Sequence, residues 1–161
     1  VISIYTGIAQ GTQPILSRVY GCNDIKSQKQ ILNYAIKTLL LISFLIYLTF
    51  LLIANPIVSV FNKEQNIQLQ EIAVTGLKLY FTAIPFAGFN IVISTYFAST
   101  EKALSAQMIS LLRGFFIIIP MAFFMSFLLK MTGVWLSFPI TECFVTLIGI
   151  ALYFLQNSKL H

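Results

Sequence analysis

Five stretches of this chain are apolar for long enough to cross a lipid bilayer, and few folds accept that. Residues 1–17, 38–61 and 79–100 carry no charge, while 103–129 is interrupted only by Arg113 and 131–158 only by Glu142. A helix needs about 20 residues to cross the hydrocarbon layer, and only helices or closed barrels leave no backbone group unpaired there. A barrel would give segments of about ten residues with alternating polarity, and residues 38–52 show no alternation. The sequence therefore predicts an all-α integral membrane protein, one membrane domain over residues 1–161. About five transmembrane helices are expected, at 1–18, 33–60, 73–99, 104–129 and 132–157. Composition agrees: 58% of the residues are hydrophobic and 9% charged, against roughly 25% charged in soluble domains. The first stretch lacks the charged lead and cleavage site of a signal peptide. It reads as a cropped helix of a chain expected to extend upstream.

The net charge of +5 raises nucleic acid as a partner, but in so apolar a chain it fits better the cytoplasmic excess of Lys and Arg in membrane proteins. Residues 18–37 carry Arg18, Lys26, Lys29 and Lys37 against Asp24 alone, so this connection is expected inside. Alternating from there puts Lys102, Arg113 and Lys159 inside and Lys63, Lys78 and Lys130 outside. The expectation is a multi-pass protein of the plasma membrane with a cytoplasmic C-terminus. Connections are signalled by residues 20–24, by the Asn- and Gln-rich stretch 62–70, and by Lys130-Met131-Thr132-Gly133. Cys22 and Cys143 lack a CxxC or His partner, so neither disulfide nor metal is indicated.

All five prolines lie in or at the ends of the apolar blocks. Each removes a helical hydrogen bond. Pro14, Pro85, Pro120 and Pro139 are expected to bend helices, as a transporter requires, although proline is also simply frequent in such helices. On the first span Thr6, Gln10, Gln13 and Ser17 share one face, and Gly7 and Gly11 form a small-xxx-small pair open to close helix approach. Asn90 and Ser94 share a face of the third span. These polar groups read either as bonds between helices or as the wall of a substrate cavity. Tyr80, Phe86 and Phe89 lie near Pro85 and Gly88, where a bent helix would present rings to a flat or cationic compound.

Ionisable residues inside a membrane are costly, about +2.5 to 3.5 kcal/mol at a helix centre even on the lower scales. Two are present within the apolar blocks. At 1.5 Å per residue Arg113 lies about 13 Å from one edge and Glu142 about 15 Å from the other. Their depths nearly coincide. Arg113 and Glu142 are therefore expected to meet across antiparallel neighbours, with Glu142 a candidate for cation or proton coupling. The plainer alternative has Arg113 snorkelling to the cytoplasmic face and Glu142 held by hydrogen bonds.

The stretch GIAQGTQPILSRVYG (7–21) resembles the second helix of the C-terminal lobe in multidrug and toxic compound extrusion (MATE) transporters. YFTAIPFAGFNIVISTYFAST (80–100), SLLRGFFIIIP (110–120) and GVWLSFPITE (133–142) look like helices ten, eleven and twelve of that family, nearest its MepA-like and DinF-like bacterial branch. The resemblance implies helices eight to twelve of a two-lobed, twelve-helix antiporter that exports cationic or amphipathic drugs in exchange for Na⁺ or H⁺. It implies a cavity lined by Gln10, Gln13 and Pro14, and family positions at Arg113, Pro120, Pro139 and Glu142. The N-terminal lobe and helix seven, with the lobe's acidic residues, would be partners outside this chain, and this segment alone is not expected to transport. A lipid-linked or polysaccharide flippase of the same superfamily, and a membrane assembly protein or inactive truncated product, are the competing readings. An enzyme is not expected, since the single histidine is His161 and no acid pair, Ser-His pair or metal cluster stands out.

Overall fold

The computed structural model describes residues 1–62 and 65–157. Lys63, Lys159 and His161 lie outside them. The described chain is helical nearly throughout: α1 (Ile2–Gly21), α2 (Ile25–Phe61), α3 (Ile67–Phe81), α4 (Ile84–Ser99), α5 (Ala103–Leu111), a π-helical turn (Leu112–Phe116) and α6 (Ile118–Asn157). Three helical runs are long and apolar enough to cross a membrane: Ile25–Phe61, Ile67–Ser99 and Ala103–Gln156. The last folds back on itself at Lys130, whose φ of 52° and ψ of −127° are not helical, so it supplies two antiparallel legs. Gly133 makes that reversal possible, because it lies so close to the Met125 carbonyl that a side chain there would collide with backbone.

Polar side chains set where helices begin. The Asp24 carboxylate accepts from the Ser27 backbone N–H at 3.0 Å and starts α2, as an N-cap does. Asn66 does the same for α3 through Leu69. Gln70 donates to the Asn55 carbonyl and Asn62 to the Asn66 carbonyl, tying the α2–α3 connection down. Helices thus run past the apolar blocks into their caps, and α2 starts well before the expected residue 33.

Two expected prolines act differently from the expectation. The third span is not one bent helix: it breaks at Thr82 and Ala83, and Pro85 sits in the first turn of α4, where its missing N–H costs nothing. Pro120 likewise stands in the first turn of α6, just after the π-helical turn in which the Ile117 N–H reaches the Leu112 carbonyl at 2.9 Å. A proline cannot bond the carbonyl four residues back, Phe116, and clashes with it in a regular helix. The extra residue in the π turn relieves that crowding, a common use of such bulges. Pro14 and Pro139 do lie inside helices.

α4 is the central element. It packs against α1, α2, α5 and α6 and buries residues on every side, among them Asn90, Val92, Ile93, Tyr96 and Phe97, as expected of a helix apolar all round. Tyr5 of α1 and Ser43 of α2 share a buried hydrogen bond of 2.7 Å. The outward faces are apolar instead of polar: Leu41, Phe44, Leu52, Phe123 and Phe127 are all exposed. Lipid suits that surface; water would not.

Candidate functional site

The site is a buried polar knot where α4, the π turn and the second leg of α6 meet. Glu142 is 1% exposed and Arg113 20%, and they form the one ion pair among the described residues. Arg113 donates from Nη2 at 2.8 Å and from Nε at 3.1 Å, both to Glu142 Oε1. Asn90 Nδ2 donates to the other oxygen, Oε2, at 2.7 Å and to the Glu142 backbone carbonyl at 3.0 Å. Thr146 Oγ lies 2.8 Å from that carbonyl and 3.2 Å from Asn90 Oδ1, so its one proton serves either.

Local sequence explains the assembly. The reversal at Lys130 lays the second leg of α6 antiparallel to the segment bearing Arg113, and the depths estimated from the sequence then match. The π turn carries Arg113 itself. Thr146, one helical turn beyond Glu142, shares its face. Sequence reading missed Thr146, although that spacing from a membrane carboxylate is the signal that finds it. Thr141, fully buried beside Glu142, has a hydroxyl without a partner.

A carboxylate so arranged is ion-paired through one oxygen and hydrogen-bonded through both. Its charge is matched by one guanidinium, and both oxygens already accept. A competing positive charge at Oε1 would meet Arg113 there, whereas Oε2, with Asn90 as its one donor, has room for a second partner.

The remaining expected site residues are dispersed. Thr6 is half-buried and donates to the Ile2 carbonyl; Gln10, Gln13 and Ser17 are exposed. No part of the described chain comes within 4 Å of a side chain placed at Gly7 or Gly11, so the expected close helix approach is not made here. Instead the polar face of α1 stands open. Ser94 bonds the Ala106 carbonyl of α5 at 3.3 Å, a tie between helices. Tyr80 stacks on Phe138, ring centroids 4.8 Å apart, whereas Phe89 packs against the main core; among the described residues no ring pairing joins Tyr80, Phe86 and Phe89. Cys22 and Cys143 are free, and the described residues contain no cluster fit to hold a metal.

The MatE family model matches residues 1–124. A curated relative, described as an FAD transporter of Shewanella oneidensis, is 24% identical over an alignment covering 98% of this chain and 34% of that protein. The chain thus spans about a third of the relative's length. No solved structure matches it. Apolar helices able to cross a bilayer and a family match over most of the chain lead to one conclusion: this is a multi-pass membrane protein, all-α, belonging to the MatE family of transporters.

Proposed function

We propose that the chain forms most of the C-terminal lobe of a multidrug efflux antiporter, which exports cationic or amphipathic compounds in exchange for Na⁺ or H⁺ by alternating access. The observation that carries this reading is the Arg113–Glu142–Asn90 knot. Intramembrane charges mark ion pathways and proton relays, and this pair joins helices that an access change must shift. In one state Arg113 neutralises Glu142. When a proton or Na⁺ takes its place, the guanidinium is freed, and the helices bearing the two groups lose their strongest tie. The open polar face of α1, with Thr6, Gln10, Gln13 and Ser17, serves as cavity wall toward the N-terminal lobe and helix seven. The basic segment 18–37, the end of α1 and the start of α2, faces the cytoplasm, as does the C-terminus, in the plasma membrane.

The name of the Shewanella relative favours a second cargo class, a flavin dinucleotide, whose anionic phosphates would be drawn to a freed Arg113 instead. Whole-cell export separates the two. Cells expressing the full-length protein are loaded with a cationic dye or scored for released FAD, with wild type compared with Glu142→Gln. The antiport reading expects dye export that Glu142→Gln reduces at least tenfold. Undiminished dye export removes Glu142 from the mechanism, and FAD release without dye export moves the assignment to the second class.

A further inference from the structure

At the basic end of the bundle, α2 and the second leg of α6 stand on either side of α4 and leave a crevice of about 310 Å³. Exposed Lys29 and Asn33 of α2, one turn apart, and half-buried Tyr153 of α6 stand at its mouth, and half-buried Ile36 and Phe89 and buried Ile93 line it further in. All three mouth residues carry donors: an ammonium, an amide and a phenol. None has a side-chain hydrogen-bond partner or ion pair among the described residues, whose one ion pair is the distant Arg113–Glu142. Lys26 stands nearby on the same first turns of α2, and the Asp24 carboxylate of that end is engaged by Ser27. Below the mouth the walls are apolar. Phe154, which also lines the crevice, is exposed.

We infer that this crevice is a binding site for one anionic phospholipid. The phosphate sits at the mouth on Lys29, Asn33 and Tyr153, and a single acyl chain lies along Ile36, Phe89 and Ile93. Donors without acceptors at the water boundary match a phosphodiester, and basic pockets between membrane helices are suited to acidic headgroups. The volume lies at the low end for a ligand cavity: it takes one chain, while the rest of the lipid stays in the bilayer. Because α2 and α6 both rest on α4, an acyl chain between them fills the gap that their side chains leave. This assignment is independent of the transport reading.

The test uses the full chain purified in mild detergent and examined by native mass spectrometry after titration with phosphatidylglycerol or phosphatidylcholine. One phosphatidylglycerol is expected to be retained, at least tenfold more strongly than phosphatidylcholine. Lys29→Glu should abolish that preference, and the milder Lys29→Gln should reduce it, with both variants keeping the wild-type thermal midpoint in phosphatidylcholine. Equal retention of the two lipids overturns the inference, as does undiminished phosphatidylglycerol binding in Lys29→Glu. A dimer whose crosslinks run through Asn33 and Tyr153 also overturns it, since a second copy would then fill the crevice.

Discussion

Replacing Arg113 with Met separates a buried ion pair from an ordinary packing contact. The guanidinium supplies two of the three donors on the Glu142 side-chain oxygens, at 2.8 and 3.1 Å, leaving Asn90 as the sole remaining partner of a carboxylate 1% exposed. Breaking a buried pair by removing one partner costs about 3–5 kcal/mol, at least a hundredfold in the ratio of folded to unfolded protein. Removing both charges together is nearly neutral when the replacements fill the space. The double variant Arg113→Met/Glu142→Leu is therefore expected within about 1 kcal/mol of wild type, less the loss of the Asn90 bond to Oε2, since the Asn90 amide keeps the backbone carbonyl of residue 142 as its acceptor. Glu142→Leu alone should cost less than Arg113→Met, because Arg113 is 20% exposed and its long stem lets the charge move toward water. The assay is reversible unfolding in mixed micelles for wild type, both single variants and the double. A coupling energy of at least about 2 kcal/mol is expected. A coupling energy near zero, with Arg113→Met no worse than the double variant, would refute it.

Three further outcomes follow from the packing. A Cβ at Gly76 would meet the Trp135 ring, with Nε1 2.6 Å away, and a rigid ring cannot yield as a chain end can. Gly76→Ala should lower stability by about 1–3 kcal/mol, and thermal unfolding should show Trp135→Phe relieving part of that loss. At Gly133 a side chain collides with the Met125 carbonyl, so Gly133→Ala should abolish the monodisperse peak on size exclusion; normal elution would contradict the reversal at Lys130. Ser27, by its side chain first and its backbone N–H second, holds the Asp24 carboxyl below the ordinary carboxylate range. The ionised cap thus stabilises the start of α2 above the ordinary carboxyl pKa and is lost as pH falls through the lowered value. Hydrogen exchange at the first turn of α2 should quicken through that window, and Asp24→Ala should remove the pH step.

Lipid as the solvent was legible from the charge-free blocks, because no arrangement of 58% hydrophobic residues hides them all from water in a chain of this size. Arg113 and Glu142 could be paired on paper for a related reason: helix rise is fixed, so depth can be counted from the flanking turns. Asn90 and Thr146 were harder. A single turn separates Thr146 from Glu142, but which helix faces that turn depends on tertiary packing that periodicity does not encode. The prolines misled for a local reason. Pro85 and Pro120 sit within apolar runs, and hydropathy does not distinguish a proline that bends a helix from one that opens the next. The π turn before Pro120 left no compositional trace at all. Gly7 and Gly11 show the opposite limit, since their spacing announces an approach that no described helix makes.

Cation flux measured on the full-length protein in proteoliposomes bears most directly on Glu142 as the coupling group. With cargo loaded inside and a pH-sensitive dye or radioactive sodium reporting the ion, each cargo leaving wild-type vesicles should draw a cation inward. Glu142→Gln should still bind cargo, yet take up no coupled ion. Ion uptake in that variant equal to wild type, at the same cargo flux, would contradict the assignment of the buried pair to coupling.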